Sequence, residues 1–256
     1  MAHIKNLDNG KYKAVVEVGS TGSRKRRTKT FNEKRKAESW MASLITEQNQ
    51  GIYVDPSKMT LAEWMNKYIN QYKKPKIATT TYDNYMNRFE TYIKDDIGQL
   101  PLQKLSSFHI EDFLTRLRKN GSVRNEGGLS ESTLKKIYVL LNQALKKADK
   151  HNLVKINPCH AVDSPQPKKK EAVALSEKEL NILLDTVKED EFIYTFIQFA
   201  TKTGMRKSEI LGLEWNNIDL NTGVVEVKKR LIVKQGEGIK HETGTKNESS
   251  KREIKI

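Results

Sequence analysis

The chain has 256 residues and carries 46 Lys+Arg against 32 Asp+Glu, a formal net charge of +14. A surplus of that size points to a polyanionic partner, because each Lys or Arg that meets a phosphate releases condensed counterions. A single cysteine, Cys159, excludes a disulfide framework and a cysteine-built metal site. No apolar run nears the ~20 residues of a membrane-spanning helix, and the opening MAHIKNLDNG lacks the apolar stretch of a signal peptide. The composition therefore predicts a cytoplasmic protein, located with its nucleic acid, with no membrane partner.

The charge is uneven. Residues 1–55 hold a net +5, residues 60–165 a net +6 and residues 166–256 only +2. In chain order the first block, 1–55, reads as a small sheet plus a helix. Tyr12–Val18 is rich in β-branched residues and follows Asn9-Gly10, a hairpin signal. Residues 24–31 (RKRRTKTF) form a second strand that carries Arg24, Lys25, Arg26, Arg27 and Lys29. Alternation puts Arg24, Arg26 and Thr28 on one face and Lys25, Arg27 and Lys29 on the other. Such a face can enter a DNA groove, or it can be an edge strand protected by charge. Residues 32–50 have helical spacing through Ala37, Trp40, Met41, Leu44 and Ile45, with Asn32 placed to cap them.

After a linker at Asp55-Pro56-Ser57, residues 60–163 read as a helical block. Thr60 and Glu63 make a capping box ahead of the stripe Leu61, Trp64, Met65, Tyr68 and Ile69. A second helix is expected over 79–97, burying Tyr82, Tyr85, Met86, Phe89, Tyr92 and Ile93 and ending at Gly98. A third starts near Ser107 with Ile110, Phe113, Leu114 and Leu117 inward, and a fourth near Ser130 with Leu134, Ile137, Tyr138, Leu141, Ala144 and Leu145 inward. Lys135, Lys136, Lys146 and Lys147 fall away from that last stripe, as a solvated face or as contacts to a phosphate backbone. Residues 164–171 (SPQPKKKE) are a linker in which Lys168, Lys169 and Lys170 are placed to lie along a backbone.

The last block, 172–256, opens with a capping box at Ser176 and Glu179, followed by Leu180, Leu183, Leu184 and Val187 and by a second apolar helix over 192–201 that includes Tyr194. Residues 203–213 (TGMRKSEILGL) then place Arg206 after a glycine turn, with Glu209 three residues on. Arg206 is either a surface arginine at a helix start or an arginine aimed at a phosphate. Residues 217–223 read as a turn, 224–232 as a strand, 236–244 as a loose loop and 246–256 as loop plus strand. The fold class expected is α+β and mainly helical: a sheet-plus-helix domain, a helical domain and a partial mixed α/β domain.

In order and spacing these segments resemble the tyrosine recombinases, in particular phage and conjugative-transposon integrases. Residues 80–105 (TTYDNYMNRFETYIKDDIGQLPLQKL) look like the family's helical core-binding domain and LVKINPC, 153–159, like the segment that closes it. LSEKELNILL, 175–184, is similar to the opening of the catalytic domain, and TGMRKSEILGL to its first active-site box. The N-terminal block resembles an arm-binding domain.

The resemblance implies that Arg206 contacts the non-bridging oxygens of a scissile phosphate, that Glu209 orients that arginine or its helix, with a plain helical salt bridge as the alternative, and that Lys246, in GTKNESSKREI, with Lys251 and Arg252 as rival candidates beside it, donates a proton to the leaving 5′-oxygen. It implies double-stranded DNA as partner at arm-type and core-type sites, self-association on that DNA, and no cofactor, metal or small-molecule substrate. The family's second box (His-x-x-Arg), a later His or Trp and its tyrosine nucleophile have no counterpart. The last tyrosine is Tyr194, and the only histidine after Arg206, His241, has Gly244 three residues on. The expectation is an N-terminal portion of a site-specific integrase that binds DNA without cleaving it. The alternative is a non-catalytic, sequence-specific DNA-binding regulator; an RNA-binding role for the basic sheet is a third reading.

Overall fold

The computed structural model describes residues 2–19, 25–51, 53–123, 126–168, 171–234, 238–243 and 252–255. The chain divides into two compact units, Met1–Lys168 and Lys169–Ile256. The described architecture is mainly helical with small antiparallel sheets, as the sequence patterns require.

Unit 1 begins with an antiparallel meander, β1 (Ala2–Asn6), β2 (Tyr12–Val18) and β3 (Lys25–Phe31), with β2 in the centre. The β1–β2 turn closes through Leu7 N–H to Lys11 O at 2.8 Å, and Gly10 takes φ +73°, where a Cβ would be strained. Helix α1 (Lys34–Asn49) covers one face, with Ala37 fully buried and the Phe31 and Trp40 rings 5.8 Å apart. Asn32 does not cap it. Glu33 holds the N-cap position and makes no capping bond; its carboxylate takes Lys36 Nζ at 2.5 Å instead.

The rest of unit 1 is a helical core. Thr60 and Glu63 cap α2 (Leu61–Lys67) reciprocally, and the helix runs on through a widened π-type turn, Tyr68–Lys73. Helix α3 (Thr79–Arg88) likewise continues through a π-type turn, Phe89–Ile93, so regular helix stops short of residue 97. Gly98 lies beyond that turn, in the 3-10 turn Ile97–Gln99, where an added Cβ would sit 2.7 Å from Ile93 O. Helices α4 (Ser107–Asn120) and α5 (Glu131–Lys150) complete the bundle, capped by Ser106 and Ser130.

All five residues of the first stripe are buried, as are Ile110, Phe113, Leu114 and Leu117 and the α5 stripe. Of the six expected from α3, Phe89 and Ile93 are buried, while Tyr82, Tyr85, Met86 and Tyr92 pack against the core from its edge. Trp64 anchors the centre, its Nε1–H donating to Ala144 O at 2.9 Å. Residues 153–159 close the bundle. Asn157, itself buried, accepts from Cys159 N–H and donates to Asn142 Oδ1, and Tyr138 Oη donates to Cys159 O at 3.0 Å.

The 55–57 stretch is fastened rather than free. Gln103 Nε2 donates to Asp55 O at 2.7 Å, and Ser57 N–H donates to Gln103 Oε1 at 3.1 Å.

Unit 2 starts with α6 (Glu177–Val187), capped by Ser176 and Glu179, and α7 (Glu191–Thr203), capped by Asp190. The apolar residues of α6 stay half-buried at most, and so does Tyr194, which accepts from Gln198 Nε2 at 2.9 Å and is not a core residue. After the short α8 (Lys207–Ile210) come β4 (Ile218–Asp219), β5 (Val224–Val227), β6 (Lys229–Lys234), β7 (Gly238–Thr243) and β8 (Arg252–Lys255).

Three expectations need correction here. Residues 217–223 contain the short strand β4 as well as a turn on the Asp219 carboxylate. The 224–232 strand is two strands, because β5 joins the β4–β5–β8 sheet and β6 pairs with β7. The 236–244 loop contains β7, in antiparallel register with β6 from Lys229↔Thr243 to Lys234↔Gly238.

Candidate active site and nucleic-acid interface

The Arg206 centre is built by a turn. Helix α7 ends at Gly204, which takes φ +63° and donates its N–H to Ala200 O. A left-handed residue here turns the chain at little cost only when it is glycine. Thr203 Oγ1 donates to Phe199 O at 2.6 Å and accepts from Met205 N–H, so the turn is tied back to the helix it leaves. Met205 then plugs the small core of unit 2, against Val225 and Val227 with Phe199, Ile210, Leu213, Ile218 and Ile254 around them. The next residue, Arg206, is thereby thrown outward and is 65% exposed.

Glu209 lies under it and is only 4% exposed. Its Oε2 accepts from Arg206 N–H at 3.0 Å and its Oε1 accepts from Arg206 Nη1 at 2.8 Å. Oε2 also accepts from Arg252 Nη2 at 3.0 Å. Burial alone would raise the Glu209 pKa; the Arg206 amide and the two guanidiniums outweigh it and hold the carboxyl below the usual range. Glu209 is thus a fixed anion, and Arg206 is held by one nitrogen with the rest of its fork toward solvent. The Arg206–Glu209 pair expected from the sequence is present. Arg252 as a partner was missed, since it is 43 residues further along.

The turn after α8 also docks β6. Gly212 packs so closely that an added Cβ would lie 2.7 Å from the Arg230 backbone, and Glu214 takes Lys229 Nζ at 2.8 and 2.7 Å. Lys246 lies outside the described residues, as do Arg24, Lys169 and Lys170. Lys168 is exposed.

On the N-terminal sheet, Lys25, Arg27 and Lys29 share the face of β3 that carries Phe31 and α1. Asp55 takes Lys25 Nζ at 2.5 Å and Arg27 Nη2 at 2.8 Å, and Tyr53 Oη accepts from Arg27 Nε. Lys25 first, and then Arg27, hold the Asp55 carboxyl far below its ordinary pKa. Lys29 Nζ lies 5.3 Å from the Phe31 ring centroid. Arg26 stands on the opposite, open face, and strand register puts Lys5 and Lys13 there too. Sequence reading missed both lysines: Lys5 lies on β1, which no periodicity announced, and Lys13 joins Arg26 on one face only through the pairing of β2 with β3.

On α5, Lys136 and Lys146 are exposed, whereas Lys135 donates to Ser164 Oγ at 2.6 Å and Lys147 Nζ sits 4.9 Å over the Tyr72 ring. Lys146 and Lys147 line a groove of about 410 Å³ together with Lys73, Lys76 and Lys150, over the tyrosines Tyr68 and Tyr72. The groove gathers five cations from two helical segments 70 residues apart. The KKPK run at 73–76 was the sequence signal for it.

Residues 60–118 match the phage integrase N-terminal SAM-like domain, and residues 173–252 match the phage integrase family. The chain belongs to the tyrosine recombinase family, among its phage-type integrases.

It is 23% identical over 236 residues to a XerC-like tyrosine recombinase of Caldanaerobacter subterraneus, covering 88% of this chain and 58% of the relative. It is 24% identical over 251 residues to the ICEBs1 integrase of Bacillus subtilis, covering 95% and 65%. The chain thus spans less than two thirds of the length of either. Among solved structures, the Tn1549 transposon integrase in complex with circular intermediate DNA superposes with a TM-score of 0.63 at 19% identity, over 77% of this chain and 61% of that one. A lambda integrase dimer bound to a COC′ core site gives 0.57 at 17% identity, over 94% and 65%. No helix among the described residues is long and apolar enough to cross a membrane.

Proposed function

We propose that this chain is the DNA-gripping portion of a site-specific recombinase that integrates a mobile element or phage genome. The observation that carries the reading is the Arg206 guanidinium, projected from a glycine turn and seated on a buried, ionised glutamate. A planar fork held from behind presents its remaining N–H groups to two non-bridging oxygens of one phosphate. Positive charge fixed there stabilises the extra negative charge of a pentacoordinate phosphorus without reorganisation.

In the intact reaction a tyrosine oxygen attacks phosphorus, the P–O5′ bond breaks, and the 5′-oxygen takes a proton for which Lys246 is the donor. Energy is conserved in the phosphotyrosine link, so rejoining needs no nucleotide cofactor. Three functional domains underlie the activity. Residues 1–55 bind arm-type DNA through the sheet, 60–163 bind core-type DNA through the lysines of α5 and the adjoining groove, and 172–256 carry the Arg206 centre. Lys168, Lys169 and Lys170 follow the backbone between the last two. Structures of relatives bound to DNA, one as a dimer and one as a tetramer on a Holliday junction, support self-association on DNA. A recombinase that works on the DNA of a bacterial cell is expected in the cytoplasm with that DNA.

No tyrosine follows Arg206 in this chain, and half-buried Tyr194 sits on α7 ahead of the turn. Residues 1–256 are expected to bind duplex DNA and, with no tyrosine after Arg206, to form no covalent adduct on their own. A nicked suicide duplex carrying the element's attachment site tests both halves: a salt-sensitive shift with no protein–DNA band in denaturing gel is expected. A covalent band overturns the second half, and binding that is absent or indifferent to salt overturns the first.

A further inference from the structure

Glu209 has two guanidinium partners, Arg206 and Arg252, and the second comes from a separate strand. Arg252 opens β8, which pairs with β5 in a register that sets Arg252 opposite Val227. Val227 is part of the small core that also holds Met205. The sheet thus brings Arg252 to the back of Glu209, with 32% of its side chain exposed and Nη2 at 3.0 Å from Oε2. The same oxygen takes the Arg206 N–H, and the other oxygen takes Arg206 Nη1.

We propose that Arg252 is a positioning residue for Arg206, acting through Glu209. A carboxylate held by one arginine three residues away can swing about its side-chain bonds together with that arginine. Donors from a turn and from a separate strand fix its plane, and a fixed plane fixes the direction in which Arg206 leaves it. Arg252 also sets the charge. Arg206 with Glu209 is a neutral pair, with little pull on a phosphate; adding Arg252 makes the cluster +1. This second effect rests on the phosphate reading above, whereas the positioning does not.

The experiment follows the Arg206 Nη1–Hη signal of the ¹⁵N-labelled full chain by low-temperature NMR, since this is the guanidinium group that Glu209 Oε1 accepts from. Arg252→Ala is expected to speed its hydrogen exchange roughly threefold or more, a fraction of the tenfold or greater effect of losing a charged hydrogen bond outright. Arg252→Lys, which keeps a donor and the charge, is expected to restore part of the protection. Arg252→Met keeps the aliphatic stem on the sheet and carries the measurement if alanine lowers the folded fraction. Lys255→Ala, at an exposed site on the same strand, is expected to leave Arg206 unchanged.

Unaltered exchange in both the alanine and methionine variants overturns the proposal. So does equal acceleration by Lys255→Ala, which would mean that the strand had merely loosened. Inorganic phosphate added to the unsubstituted chain separates the two ideas. If it fails to shift the Arg206 resonance, the phosphate reading falls while the positioning role is still judged by the exchange rates.

Discussion

Replacing Glu209 with alanine removes the one anion between two guanidiniums. Three hydrogen bonds are lost: those from Arg206 N–H, Arg206 Nη1 and Arg252 Nη2. Hydrogen bonds to charged groups contribute about 1.5–3 kcal/mol each. The Arg206 guanidinium is mostly exposed, so its share falls to about 1 kcal/mol or less through screening. The three share one carboxylate and do not add independently. A net loss of about 3 kcal/mol follows, felt in unit 2.

For a domain of that size each kcal/mol is about 4–8 °C, so its melting transition is expected to fall by roughly 12–24 °C. Scanning calorimetry of the whole chain, with the helical transition of unit 1 as internal reference, gives the reading. The penalty also has a pH signature. The folded pKa of Glu209 lies below its unfolded value. Its stabilisation is therefore complete above the unfolded carboxylate pKa of about 4.3 and drains away as pH falls through the folded value. The variant and the parent should converge at acid pH and differ fully at neutral pH. A shift of less than about 4 °C at neutral pH, or one that does not shrink on acidification, would refute the view of Glu209 as a buried, ionised hub.

Two other substitutions probe the flanks. Asp55→Asn releases Lys25 and Arg27 from their shared partner; a steeper salt dependence of DNA binding is expected, by up to about 0.9 per freed cation that meets a phosphate. Salt-titrated fluorescence anisotropy measures it, and an unchanged slope would show that neither cation faces DNA. Gly212→Ala drives a methyl group against the Arg230 backbone. A cost of about 1–3 kcal/mol is expected, visible as faster amide exchange in β6 and β7 while α4 and α5 keep their protection.

Much of this architecture was written in local signals. The capping boxes at Thr60/Glu63 and Ser176/Glu179 and the inward stripes of α2, α4 and α5 follow from spacings of three and four residues, and the structure bears them out. What stayed illegible depends on pairing. The Glu209–Arg252 contact exists only because β8 returns to β5. Strand β7, with the sequence GIKHET, has too little alternation to stand out from a glycine-flanked loop. Charge was legible in amount and not in direction, since only the fold reveals that Asp55 turns Lys25 and Arg27 toward itself. The apolar stripe of α6 stays half-buried at most, since periodicity gives the orientation of a face and not the presence of a neighbour to cover it.

The lone cysteine has a practical consequence. Burial beneath the Tyr138 hydroxyl pushes the Cys159 thiol pKa up to about 12, so almost no thiolate is available at neutral pH. The native chain should be nearly silent to maleimides, and a cysteine introduced on the surface becomes a single clean attachment point for a fluorophore. Any slow alkylation that does occur marks moments when the helical bundle has opened, which makes Cys159 a built-in clock for its breathing.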